Sequence, residues 1–411
     1  MNAEESVLLK TARWLTLASS AVIVVGIAPS QIFLGAALLT LFLSKEKLRL
    51  PAIKWTLALF LAGTLLAVLL SGHPKAGFPQ VKKIYVFSQL LVAYSLLRTA
   101  QWARWLVMTW AALGSISAFR GFVQFAHKFY QAVAQHRDFY AAYMGERITG
   151  FMSHWYTFSD VEMISLIMLG AFLFFSPAAR RFLWVWLVLA FFMSFGVLLA
   201  ETRAVWVATV VSALYLTWFW KKWVTVLVPV AVAALLLLGP HTFRERAESI
   251  FHPGKDDSNQ FRTILDRTGV RMIEAHPWFG LGPEMPRIDF MQYLPADVPK
   301  PLPSGSYMHL HNLYLEYAAE RGIPVLLVML AMLGQILWDY GKTLRTLPTG
   351  RSDVRFLLHG GIAVVLAILV EGFADVNLGD SEVLTMFLVV VALGYMAVDV
   401  SKAENSAGDS I

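Results

Sequence analysis

The stretch Leu183-Trp-Val-Trp-Leu-Val-Leu-Ala-Phe-Phe-Met-Ser-Phe-Gly-Val-Leu-Leu199, the link Ala200-Glu-Thr-Arg203 and the run Ala204-Val-Trp-Val-Ala-Thr-Val-Val-Ser-Ala-Leu-Tyr-Leu-Thr-Trp-Phe-Trp220 together decide the fold. Both apolar runs are free of charge. Wound as α-helices at about 1.5 Å per residue, each comes close to crossing the ~30 Å of hydrocarbon in a bilayer. The link between them has room only for a turn, so the second run returns beside the first. Glu201 and Arg203 then sit at the mouth of the pair.

Working outward, the same reading predicts about twelve transmembrane helices, near 14–27, 31–43, 55–70, 84–97, 105–125, 163–175, 183–199, 204–220, 224–238, 323–337, 356–371 and 383–398. The first two are short and closely spaced, which also suits a re-entrant pair. With 57% hydrophobic and only 15% charged residues, the composition is that of an all-α polytopic membrane protein. The expected organisation is a membrane bundle over 1–238, a large, partly helical loop with a histidine-containing segment over 239–322, three last spans over 323–400 and a tail over 401–411.

A net charge of +6 raises the question of nucleic acid. The cations are scattered at the ends of apolar runs with no basic tract, so membrane lipids account for them and nucleic acid is not an expected partner. The chain has no Cys, which removes disulfides and thiolate metal sites. With no small-residue cleavage site behind it, the first apolar run reads as a retained span. If both termini are cytoplasmic, every short cytoplasmic turn is basic: Lys45, Lys47, Arg49 and Lys54, then Arg98 and Arg104, Arg180 and Arg181, Lys221 and Lys222, and finally Lys342, Arg345, Arg351 and Arg355.

The opposite, outer side receives all the long polar connections: 71–83, 126–159, the 200–203 turn, 239–307 and the acidic 371–382 segment. It also holds cations that run against the positive-inside rule, including Lys83, Arg147, Arg203, Arg262, Arg267, Arg271 and Arg287. Cations kept there point to an anionic ligand. Solvated pairing with the loop's Glu and Asp residues is the bland rival for each of them. The loop of roughly seventy residues is far longer than a connector and contains a helix-like run at 262–275. Pro295, Pro299, Pro301 and Pro303 then predict an extended, irregular stretch.

Four outer stretches carry the candidate chemistry: Arg147-Ile-Thr-Gly-Phe-Met-Ser-His154; Glu201-Thr-Arg203; Arg262 and Arg271 with His276-Pro-Trp-Phe-Gly-Leu-Gly282; and Met308-His-Leu-His-Asn-Leu-Tyr-Leu-Glu-Tyr-Ala-Ala-Glu-Arg-Gly-Ile-Pro324. Titratable groups at a membrane edge are costly and need a reason. Guanidinium forks match phosphate oxygens in pairs, and a neutral imidazole can take a proton from a hydroxyl. Arginines with one histidine, and no metal cluster, suit displacement of a diphosphate leaving group. The structural alternatives are plain. His309 and His311 lie about 200° apart if helical, so only one faces a given site. His276-Pro277 reads as a helix stop, Gly280-Leu-Gly282 as a tight turn, Glu201 as a partner for Arg203, and Tyr314, Leu315 and Ala318 as packing.

The pattern His311-Asn312-x9-Gly322, behind an Arg-rich loop ending His-Pro-x-x-Gly-x-Gly and an arginine at a span mouth, resembles the bacterial O-antigen ligase and polymerase superfamily over nearly the whole chain. The resemblance implies a GT-C-like inner-membrane glycosyltransferase, with both termini cytoplasmic and a periplasmic active site, that needs no cofactor, metal or ATP. Its donor would be undecaprenyl-diphosphate-linked O-antigen and its acceptor a lipid A-core oligosaccharide. The family's essential histidine maps to His311, its span-mouth arginine to Arg203 and the arginine opening the loop helix to Arg262. Arg147 and Arg271 are further candidates for the diphosphate, and Asn312 and Gly322 support the motif. The length and single dominant loop look more like a ligase than a polymerase, although Arg271-x10-Gly282 fits a polymerase loop pattern. A transporter or flippase of an anionic lipid-linked glycan is the rival from another class.

Overall fold

A computed structural model describes residues 6–239, 244–246, 248, 257–302, 307, 309–347 and 353–408. Met308, Pro303 and Arg351, used in the sequence reading, lie outside the described residues. All of the twelve apolar runs are helical: α1 (Val7–Val22), α2 (Ile27–Leu43), α3 (Lys54–Leu70), α4 (Phe78–Leu96), α5 (Ala100–Ala134), α7 (Trp155–Phe175), α8 (Leu183–Leu199), α9 (Arg203–Trp220), α10 (Leu227–Leu238), α14 (Ile323–Thr346), α15 (Arg355–Glu371) and α16 (Ser381–Gly408). Four shorter or amphipathic helices stand between them: α6 (Phe139–Gly145), α11 (Asp257–Ala275), α12 (Met285–Tyr293) and α13 (Leu313–Arg321). Among the described residues, six helices are long and apolar enough to cross a membrane: α5, α7, α8 with the turn before it, α9, α14 and α16. Helices α2, α3 and α10 are apolar but shorter.

The chain sorts its helices by what their surfaces can bury. The apolar windows of α7 and α16 are 72% and 89% buried, so these two form the centre, whereas α8, α9 and α14 are 28% buried and present Leu, Val, Phe and Trp outward. Outward apolar side chains are at home in lipid, where small and polar residues rather than greasy ones mark helix contacts. On one such contact, Gln89 of α4 joins Ser19 and Ser20 of α1 at 3.0 and 2.7 Å, and Ser19 reaches the Ser30 carbonyl of α2 at 2.9 Å. Every polar group drawn into that contact has a partner.

Two expectations about connections change. The span expected to end at 125 belongs to the 35-residue α5, about 50 Å long and so well over the ~30 Å of a hydrocarbon core. Much of the connection expected at 126–159 is therefore helix: the end of α5, all of α6 and the start of α7. The reason is local, since 126–134 turns polar without a Pro or Gly to stop the helix. In the large loop, α11 begins at Asp257 and α12 adds a second helix. Arg262 therefore lies in the second turn of the loop helix and does not open it. The 294–302 stretch carries no regular element, as its prolines predict.

Candidate active site

A cavity of about 720 Å³ opens at one end of the bundle, walled by the starts of α4 and α7, by α11, by the segment around α13 and by the link between α15 and α16. His311, Arg147 and Arg262, distant in sequence, all line it.

His311 is placed by its neighbours on both sides. Asn312 caps α13, its Oδ1 accepting from the Tyr314 and Leu315 amides at 3.0 and 3.1 Å. The cap ends the helix one residue short of His311, which takes a left-handed φ of 50°. The 309–311 segment is thus not helical, and the expectation that only one of its histidines faces a site is corrected: His309 and His311 both line the cavity. Leu313 donates to the Gly372 carbonyl at 2.8 Å, pinning this segment to the end of α15. Across that seam His311 Nδ1 lies 3.2 Å from Asp375 Oδ1. The imidazole rests between Phe261 and Tyr156, with ring centroids 6.1 and 6.4 Å away.

His309 is tied differently. Its Nδ1 meets Glu316 Oε1 at 3.3 Å, and the other Glu316 oxygen accepts from the Leu310 amide at 2.8 Å. Hydrogen bonding to that carboxylate raises the His309 pKa against a smaller opposing effect of burial. His154 caps α7 by accepting from the Tyr156 amide at 3.3 Å, and burial lowers its pKa.

The cationic wall is broader than the sequence suggested. Arg262 Nη2 donates to the Tyr156 hydroxyl at 3.2 Å. Arg147 stacks over Trp155 at 5.2 Å and donates to the Glu201 carbonyl at 3.4 Å. Arg287, Lys83 and Arg321 complete the wall. Lys83 is anchored on the Gly379 carbonyl at 2.5 Å, while Arg321 pairs with Glu320 and faces Tyr317. Burial pushes the Glu320 carboxyl up to about 7 despite Arg321 beside it.

Arg203 and Arg271 do not line this cavity. Arg203 is the first residue of α9, two residues beyond the carbonyl that Arg147 holds. Arg271 is exposed, donates to the Leu294 carbonyl at 3.3 Å and borders a separate hollow with Arg267 and Asp297. Arg267 Nη2 donates to both Asp297 carboxylate oxygens, at 2.7 and 2.9 Å, the bland reading for a loop arginine. The packing roles expected of Ala318 and Leu315 agree with their burial, and Tyr314 donates to the Leu369 carbonyl at 2.5 Å. His276 stands just past the end of α11 against the Tyr293 hydroxyl at 2.9 Å, as a helix stop should.

The glycines of the motif have a steric cause. Gly322 turns α13 into α14 at φ 83°, and a Cβ there would lie 2.2 Å from the Trp278 carbonyl oxygen. At Gly280, φ 67°, a Cβ would lie 2.3 Å from the Glu320 carbonyl carbon. The His276–Gly282 segment lies backbone to backbone against the α13–α14 corner: Leu281 and Gly282 donate to the Ala319 and Glu320 carbonyls at 2.8 and 2.9 Å. Both glycines permit an approach that no side chain allows.

Sequence reasoning missed Asp375 as the histidine's partner and Arg321 as a wall residue, and it counted Lys83 and Arg287 among the outward cations without singling them out. The signal for Asp375 was the acidic link between two spans that are otherwise almost uncharged. Arg321 was within the quoted histidine segment, three residues before Pro324.

These features define a class: a helical membrane protein with a histidine–carboxylate pair in an arginine-rich cavity at one end of its bundle. A family model described as O-antigen ligase matches residues 188–330, about a third of the chain, from within α8 to the first turns of α14. The matched stretch contains Arg203, Arg262, Arg271, His311, Asn312 and Gly322, so over this part the chain is similar to that family. No curated protein matches the chain.

Proposed function

We propose that this protein is an O-antigen ligase, transferring a glycan from undecaprenyl diphosphate to a sugar of the lipid A core on the periplasmic face of the inner membrane. The observation that carries this reading is His311 Nδ1 held 3.2 Å from Asp375 within a cavity walled by Arg147, Arg262 and Arg287. Asp375 accepts the Nδ1 proton, which leaves Nε2 free to take the proton of the attacking core hydroxyl. The hydroxyl oxygen bonds to the anomeric carbon as its bond to the diphosphate oxygen breaks, with inversion at that carbon. The guanidinium groups neutralise the diphosphate as its charge grows, an interaction stronger in the transition state than in the bound donor. Arg262, held by Tyr156, and Arg147, held by Trp155 and the Glu201 carbonyl, are restrained before the donor arrives. Arg203 acts from behind the wall, at the turn that Arg147 grips.

The test is the identity of the product. Purified protein given undecaprenyl-diphosphate-linked glycan and rough lipopolysaccharide should extend the lipopolysaccharide. Lengthening of the carrier-linked glycan, with the lipopolysaccharide untouched, would make it a polymerase. Movement of the donor across a vesicle membrane without any new glycosidic bond would make it a transporter.

A further inference from the structure

Behind Asp375 the cavity floor passes into carboxyl groups that the transfer chemistry leaves unused. Asp160 of α7 and Glu371, the last residue of α15, are 1% and 0% exposed. One oxygen from each, together with one from Asp375, lie within 4.8 Å of one another. The carboxyl groups of Asp160 and Glu371 are therefore close neighbours, brought together from two helices. Glu371 Oε2 accepts from Asn377 Nδ2 at 3.1 Å. Asp160 Oδ1 and Glu371 Oε1 are buried with no hydrogen-bond partner among the described residues.

The charged surroundings make this worse for two anions. Asp375 and Asp380, on the link to α16, face the pair; His311 stands beyond Asp375, and His154 and Lys83 also line the cavity. Among the described residues, no Lys or Arg forms an ion pair with Asp160 or Glu371. Carboxylates this close, out of water and next to further carboxylates, do not both ionise. A single proton between them removes one charge and gives a bare oxygen its donor.

We propose that Asp160 and Glu371 share one proton, forming an acid–carboxylate pair that fixes the charge behind Asp375 and so positions the proton acceptor His311. The shared proton stays with the pair during turnover: the hydroxyl proton goes to His311, Asp375 faces the imidazolium, and the pair keeps one negative charge. The consequence for His311 rests on the transfer reading above. The shared proton itself does not.

Either single amide, Asp160→Asn or Glu371→Gln, replaces the bridging O–H by an N–H and leaves the partner ionised, so the net charge is unchanged. The double variant removes that charge. Infrared difference spectra of wild type against each single variant, in nanodiscs at neutral pH, should show the loss of one carboxylic-acid carbonyl band. Other buried acids, Glu162 included, are common to both proteins and cancel. In transfer assays both single variants should keep the acid limb of kcat/KM where the wild type has it. The double variant should move it to lower pH by about half a unit or more, because a neighbouring anion favours the imidazolium.

No carboxylic-acid band in the wild-type difference would overturn the shared proton, whatever the activity. So would a band that appears only after divalent cations are chelated, since a metal would then bridge the carboxylates. Single variants that shift the acid limb about half as far as the double would show that both groups are ionised. A band that is present in a wild type without transfer activity would sink the ligase reading and leave the proton pair standing.

Discussion

Asp375→Asn removes the charge behind His311 while keeping the shape of the side chain. In the folded protein the contact is 3.2 Å, and the two side chains are 21% and 16% exposed, so water screens it little. A hydrogen bond to a charged group contributes on the order of 1.5–3 kcal/mol, which at about 1.4 kcal/mol per tenfold corresponds to a loss of roughly 10- to 150-fold. The loss belongs in kcat, because the imidazolium exists only after the hydroxyl proton has moved. The amide can also present its N–H to Nδ1, which would leave the ring in the wrong tautomer and place the loss towards the upper end. Initial transfer rates over a range of donor and acceptor concentrations separate the two parameters. A kcat within threefold of wild type, or a loss confined to the donor KM, would refute the argument that Asp375 orients a general base.

Arg147→Ala should raise the donor KM about tenfold and Arg147→Lys should recover only part, since a point charge does not reproduce the fork. Arg203→Ala, off the cavity wall, should raise it less, and the reverse order would return Arg203 to the diphosphate. Gly322→Ala should destabilise by more than about 1 kcal/mol, because its backbone has φ 83° and its Cβ would strike the Trp278 carbonyl; an unchanged Tm in detergent would contradict that packing. Glu201, in the turn between α8 and α9, has its carboxyl pushed up to about 7 by burial, which Arg246 and Arg147 only partly offset. Between its ordinary value and about 7 the unfolded chain releases the proton that the folded chain keeps, so wild-type stability should fall as pH rises through that window. Glu201→Gln should flatten this decline in Tm, and an identical decline in both proteins would remove Glu201 as its source.

The helices were legible because hydrocarbon imposes a single rule on every span, and runs such as 183–199 and 204–220 satisfy it without help from distant contacts. Arg147, Arg262 and His311 were legible as outward charges with no cheap reason to be there. The reading failed where a helix boundary decides direction. Asn312, a good N-cap residue directly before Leu313, already signalled that His311 lies outside the helix, yet the two histidines were placed on one. The polar end of α5 was missed because hydropathy falls at residue 125 while helix propensity does not. Asp375 could not be paired with His311 from sequence, since that contact depends on how α13 meets the end of α15. Arg203 and Arg271 carried the same outward-charge signal as Arg147 and Arg262, and only packing separates the two sets.

The central claim is that His311 takes the acceptor proton in a cavity whose cations hold the donor. The most direct measurement is transfer by purified wild type and His311→Ala, from undecaprenyl-diphosphate-linked glycan to rough lipopolysaccharide, with donor binding measured on the same preparations. The account predicts a ladder of extended lipopolysaccharide from the wild type, none from the variant, and donor affinity within a few-fold in both. Transfer by His311→Ala at a rate close to wild type would contradict it.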